Sequence, residues 1–323
     1  MKKVIVIFLI VASVLCVVGV VVGALGLFMI GFDLTRLGTE DFETNSYELT
    51  EDFENISIDT KTASVSFERS DDGVCRVVCK EQKKIKHSVE VKDGTLTVSA
   101  VDSRKWYEHI VIFSFGEAKV TVYLPDDEYN SISVDTDTGN VKMPESLSFA
   151  NAEMTSDTGD IAWNASVSGK LGIGTDTGDV RVNNVSAGEL RLTSDTGKIT
   201  ASAITSDGEV SVVTSTGEII LTDVGCASAR AESDTGDITL KDVIAADSIT
   251  AQADTGEIVF DRSDADTVYA ETKTGDIDGS LLSEKIFFAD SKTGRVSVPR
   301  TETGGRCELM SDTGDIEIKI QNQ

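Results

Sequence analysis

The tripeptide Asp157-Thr158-Gly159 is the unit that carries the catalytic carboxylate in aspartic proteases. That chemistry needs two aspartates in one dry cleft, close enough to share a proton. Here the unit is repeated instead. Thr-Gly recurs with its glycine at 139, 159, 178, 197, 217, 236, 256, 275, 294 and 314, always 19 or 20 residues apart. Asp precedes the Thr in seven copies, and Asp or Glu follows the Gly in seven, so neither carboxylate is set apart for catalysis. The pattern describes turns, with Asp placed to hydrogen-bond the turn backbone and Gly supplying a conformation that other residues resist.

The two acidic columns have a chemistry of their own. Carboxylates one repeat apart repel by about 1 kcal/mol even in a water-like dielectric, so the columns gain from counter-ions, and calcium suits carboxylate oxygens. Lys273 and Lys292 interrupt the first column, and Lys198 and Arg295 the second, which relieves part of the repulsion internally. Solvated turns that bind cations weakly are therefore preferred to specific calcium sites. Other ligands are scarce. His87 and His109 are the two histidines. Cys75 and Cys79 fall on one face of a strand, roughly 13 Å apart, beyond disulfide reach. With Cys226 and Cys307 they read as small buried hydrophobes, and no Cys pair has the spacing of a metal site. The chain shows no nucleophile-base set and no phosphate loop, so it is read as a non-enzyme, with no catalytic or cofactor-binding residue and no cofactor.

The elements that carry the turns follow from the residues around each glycine. Positions seven and five before it are apolar in every copy, from Ile132 and Val134 to Cys307 and Leu309, and a branched aliphatic stands two after it, from Val141 to Ile316. A period of two means strand. Three before the Gly stands Ser or Thr in nine copies, Ala253 being the exception, which places hydroxyls at a corner of the core. A third apolar position, at Leu147, Val167, Val185, Ile204, Val224, Val243 and Leu282, marks a third face. One such unit cannot bury its apolar side alone, whereas stacked units share a continuous core. The expected fold is all-β: a right-handed parallel β-solenoid (β-helix) of about ten rungs over residues 132–323, rising about 4.8 Å per rung. Stacking in chain order leaves the unit of Gly314 at the end.

Residues 47–131 lack Thr-Gly but keep strand alternation at 56–68, 88–100 and 118–125, with Asp93-Gly94 as a hairpin turn. They read as a β-rich N-terminal cap, with Trp106, Tyr107 and His109 as an aromatic plug. Ahead of it, residues 1–3 form a cytoplasmic N-terminus, 4–32 a transmembrane anchor, and 33–46 a juxtamembrane linker. Residues 4–32 hold no charged side chain, enough to span a bilayer with some tilt and longer than the roughly 7–15 apolar residues of a signal peptide. Leu15 before Cys16 disfavours a lipoprotein signal. Lys2 and Lys3 on one side, against Asp33, Glu40, Asp41 and Glu43 on the other, place the body outside. Beyond residue 32 stand 55 acidic residues against 27 basic ones, a net charge of −28, which excludes nucleic acid as a partner.

The stretch "VTVYLPDDEYNSISVDTDTGNV" at 120–141 and the Ser-Asp-Thr-Gly-Asp-Ile units that follow carry a resemblance over roughly residues 50–320. The chain resembles a bacterial putative-adhesin domain of unknown function with β-strand repeats, often found behind a single transmembrane helix. The resemblance implies association with the envelope of mainly Gram-positive bacteria, for some members with envelope-stress operons, and it brings no catalytic residue. The expected function is that of a membrane-anchored, extracytoplasmic solenoid with a non-enzymatic structural, adhesive or envelope-sensing role and a cell-envelope or protein partner. The alternatives are a polysaccharide-acting enzyme on a β-helix scaffold, whose site would need long irregular loops, and a self-assembling scaffold.

Overall fold

The computed structural model describes residues 12, 14–21, 28, 42–104, 117–125 and 128–321. Most of the anchor stretch 4–32 lies outside them, as do Trp106, Tyr107 and His109. Residues 14–21 are helical, and among the described residues no helix is long and apolar enough to cross a membrane.

Each Thr-Gly unit forms one turn of a parallel β-solenoid. On one face Ile132, Ala152, Leu171, Leu190, Val210, Ala229, Ile249 and Val268 stack in register. On the next stand Val141, Ile161, Val180, Ile199, Ile219, Ile238, Ile258 and Ile277. All are buried, and the β-branched choice suits a pleated surface packed from within. The third face buries Leu147, Val167, Val185, Ile204, Val224 and Val243, with Leu281 rather than Leu282 in the later unit. The chain enters that face through a left-handed residue, Asn184, Ala203, Asp223, Asp242 or Arg262, with φ between 51° and 60°. This second corner has no fixed residue type, and the repeat pattern does not announce it.

The glycine corner explains two of the columns. At Gly236, φ is +147°, and a Cβ would lie 2.0 Å from the Gly217 carbonyl oxygen one turn away. Glycine is required by close stacking as much as by conformation. That Gly217 carbonyl accepts a hydrogen bond from the Ser233 hydroxyl at 3.1 Å, as Gly178 does from Ser194 at 3.1 Å and Gly256 from Thr272 at 3.0 Å. The inward Ser and Thr therefore satisfy carbonyls turned into the corner. Ala253 supplies no hydroxyl to Gly236. Conversely, the Thr136 hydroxyl is buried without a partner, and the Ala63 carbonyl beneath it accepts instead from Thr60 of its own turn at 3.1 Å.

Stacking order departs from chain order at both ends. The N-terminal region holds β1 (Phe42–Leu49), β2 (Asn55–Thr60), β3 (Ala63–Arg69), β4 (Cys75–Gln82), β5 (Ile85–Lys92), β6 (Thr95–Asp102) and β7 (Ala118–Leu124). β2 and β3 form a turn stacked on the first Thr-Gly unit, pairing Ile56 with Ile132 and Val65 with Val141. β6 and β7 stack on its other side, pairing Ile56 with Leu96 and Val65 with Val120. The solenoid therefore runs on into the stretch read as cap. β4 pairs antiparallel with β7 and β1, and β5 with β6 through the Asp93-Gly94 turn, where both φ angles are positive. Because β1 starts at Phe42, residues 42–46 belong to this sheet, although the sequence suggests a linker there.

At the other end, the strand Gly305–Thr313 inserts between Thr267–Thr274 and Lys285–Ser291, so that Cys307 lies between Val268 and Phe287. The outermost turn is 285–297, not the unit of Gly314, and it leaves Ile286, Phe288 and Val296 exposed. Buried Lys285 fastens it, with Nζ 2.7 Å from Asp264 Oδ1. Gly304 and Gly305 lie beside this link with no side chain to obstruct it. A Cβ on either would stand 1.8 Å from a backbone oxygen, of Glu284 or Asp266.

Candidate functional site

The carboxylates singled out by the sequence line two half-buried to exposed columns flanking the glycine corner. In the column before Thr-Gly, lysines neutralise their neighbours along the stack: Lys273 Nζ is 2.6 Å from Asp254, Lys292 Nζ 2.5 Å from Asp312, and Lys61 Nζ 3.4 Å from Asp137. Among the described residues, none of these aspartates bonds the turn backbone, contrary to the expectation for Asp157 and its equivalents. The column after the glycine does so instead, and it reaches along the stack rather than around the turn. Asp160 Oδ1 accepts from the Asp179 N–H at 2.9 Å, Asp179 from Lys198 at 3.0 Å, and Asp237 from Glu257 at 2.9 Å. The series then follows the spatial order, with Asp276 accepting from Asp315 at 2.7 Å and Asp315 from Arg295 at 2.8 Å. Further along the stack, burial first and then neighbouring acids raise the pKa of Glu257 (Asp278, Asp237, Asp276) and of Asp278 (Asp276, Glu317, Asp315). The columns are thus a repeated backbone brace in which no carboxylate pair is withdrawn from solvent.

A different group of residues is withdrawn from solvent. β4 and β5 leave their short Lys83-Lys84 turn on diverging courses, β4 joining β7 and β5 joining β6. In the wedge between them lie Cys79 and Glu81 of β4, both fully buried, and buried His87 of β5. Alternation puts Cys75, Val77, Cys79 and Glu81 on one inward face, and Ile85 and His87 on the facing one. Glu81 Oε2 stands 2.8 Å from His87 Nδ1 and accepts the His87 backbone N–H at 2.6 Å, while Oε1 accepts from Asn45 Nδ2 at 2.6 Å. The Tyr47 hydroxyl donates to the His87 carbonyl at 3.4 Å, and burial together with the charge of Glu81 raises its pKa. Burial, and then Glu81, push the Cys79 thiol up to about 12. The donor atoms of Cys79, Glu81 and His87 all lie within 4.8 Å of one another.

The sequence reading missed this group because it sought metal-ligand spacing between cysteines. The available signal was Glu81, an acid in phase with the apolar positions of a strand. Cys75, Cys226 and Cys307 fit the reading of buried, unpaired thiols. Cys79 is equally buried but has polar company.

The Toastrack DUF4097 family model matches residues 53–240 and again 202–323. The chain belongs to the Toastrack DUF4097 family. Two solved structures share the Toastrack chain's fold. A putative adhesin from Parabacteroides distasonis is 18% identical, with a TM-score of 0.51 over 75% of this chain and 98% of that one. A putative adhesin from Parabacteroides merdae is 14% identical, with a TM-score of 0.51 over 76% of this chain and 98% of the other. No curated protein matches the sequence. The family assignment agrees with the resemblance carried by the Asp-Thr-Gly units and defines no catalytic residue.

Proposed function

We propose that this Toastrack chain is a membrane-anchored protein that displays an acidic β-solenoid outside the cell and serves, without catalysis, as an adhesive or structural surface of the envelope. The observation that carries the proposal is the uniformity of the turns. The acidic side chains at the glycine corner are half-buried or exposed, none of them buried, and the columns repeat a backbone brace or a lysine pair instead of forming a cleft. Catalysis by paired carboxylates requires the opposite, two groups whose surroundings drive their proton affinities apart. The columns hold a diffuse cation atmosphere, which keeps the body soluble and directs it towards cationic or cation-bridged envelope partners. The apolar stretch 4–32 supports the anchor, and Lys2 and Lys3 support an inside N-terminus.

The test is protease treatment of intact cells, paired with adhesion of purified protein to isolated envelope with and without a divalent-cation chelator. The reading predicts cleavage of the body on intact cells and saturable retention on envelope. Protection of the body on intact cells refutes the location, and cleavage of envelope glycans by the pure protein refutes the non-enzymatic role.

A further inference from the structure

The geometry points to a metal site in the N-terminal wedge, in which Cys79, Glu81 and His87 bind a zinc-class divalent ion that clamps β4 to β5. Thiolate, imidazole and carboxylate together suit a borderline-soft ion and not calcium or magnesium, which prefer oxygen alone. The three donors lie within 4.8 Å of one another. Tetrahedral bonds of about 2.0–2.3 Å place donors roughly 3.5 Å apart, so modest side-chain adjustment suffices.

The surroundings are those of a supported ligand set. Asn45 and the His87 backbone N–H hold the Glu81 carboxylate by hydrogen bonds of 2.6 Å each, the kind of outer contact that orients metal ligands. Half-buried Tyr47 and Asn45 of β1 stand between the cluster and solvent, so the ion enters by displacement of these two side chains. The apolar neighbours, Val77 on the same face and Val98 and Val120 beyond, show what this end of the core uses when it needs only packing. A buried carboxylate and imidazole are costly there unless partnered.

Without metal, burial keeps Cys79 a thiol, so it is inert as a nucleophile. A bound divalent cation reverses that balance. Binding releases the thiol proton, the neutral His87 ring keeps its single proton on the nitrogen that does not face the ion, and the ion takes up the sulfur, nitrogen and oxygen lone pairs with no change in oxidation state. Two strands that share one ladder pair, Gln82 with Ile85, and the Glu81–His87 contacts then gain a further link where they diverge, which closes the end of the solenoid.

The experiment uses the purified full-length chain, equilibrated with excess calcium to occupy the acidic columns. Zinc content is measured after removal of loosely held ion, and cobalt(II) is then titrated as a spectroscopic probe. One zinc per chain is expected, with a cobalt–thiolate charge-transfer band that Cys79→Ser abolishes and that Cys75→Ser and Cys226→Ser retain. Asn45→Ala should weaken binding roughly tenfold to a hundredfold. A wild-type spectrum without the band decides against the site even if a variant fails to fold. Absence of a thiolate band in the wild type, or a band that survives Cys79→Ser in folded protein, overturns the site and leaves a self-contained Glu81–His87 pair.

Discussion

Replacing single stack glycines by alanine tests the order in which the turns are packed. At Gly236 the new Cβ would lie 2.0 Å from the Gly217 oxygen, where ordinary contact begins at 3.4 Å, so the two turns must part locally by about 1.4 Å of a spacing near 4.8 Å. Two backbone bonds then stretch out of range, Gly217 N–H to Thr235 and Ile219 N–H to Asp237, both 2.9 Å. The Ser233 hydroxyl loses its place on the same Gly217 carbonyl. Each bond contributes about 0.5–1.5 kcal/mol, and a side chain at φ +147° adds roughly 1–3 kcal/mol of strain, for a total of about 3–7 kcal/mol. Gly314 is interior as well. Its φ is +152°, its Cβ would meet the Gly275 oxygen at 2.0 Å, and Gly294 stacks on its outer side. Gly314→Ala should therefore match Gly236→Ala. Gly294→Ala also clashes, at 1.8 Å from Gly314, but its turn has nothing beyond it and can lift, so its cost should be about half or less. Urea unfolding supplies the energies, and native-state hydrogen exchange locates the damage. A Gly314→Ala variant milder than Gly294→Ala would mean that the turns stack in chain order and would refute the inserted C-terminal strand.

Ala253→Ser should restore the missing donor to the Gly236 carbonyl and stabilise the protein by about 0.5–1.5 kcal/mol, seen as a higher urea midpoint with an unchanged slope. Asp160→Ala removes the acceptor of the Asp179 N–H and should cost about 1 kcal/mol, whereas Asp157→Ala should fall within about 0.5 kcal/mol of wild type; the same urea curves distinguish them. Glu257 and Asp278 hold their protons more tightly when folded, so their contribution favours folding at low pH and is lost as pH rises through their raised values. Glu257→Gln with Asp278→Asn should therefore raise the melting temperature at neutral pH, and the gain should shrink towards about pH 4 and with added salt; a gain that grows on acidification would reverse the assignment.

The periodic half of the fold was legible because each turn has the same task. Columns such as Ile161, Val180 and Ile199 repeat a chemical type at constant spacing, and burial requires the type while stacking requires the spacing. The left-handed corner was not legible, since Asn184, Ala203 and Arg262 reach the same φ by different means. The brace was half legible. The acids on both sides of Thr-Gly were evident, yet which of them bonds a backbone depends on whether the side chain points along the stack, and a one-dimensional pattern does not carry that direction. The wedge cluster lay deeper still, because Glu81 and His87 meet only through the divergence of β4 and β5.

The reordered ends have a physical reason. A parallel stack ends in strands with unpaired backbone groups, and among the described residues no disulfide holds those ends closed. If 305–320 were the last turn, it could peel away by itself. With 305–320 placed between 267–281 and 285–297, this segment is held on both sides, and the outermost turn is covalently continuous with the chain before and after it. The Lys285–Asp264 pair closes the same loop from within. Fraying then requires two turns to separate together, and this cooperativity comes from topology alone. At the opposite end, β2 and β3 lie between later strands in the same way, while β1 closes the edge by pairing with β4.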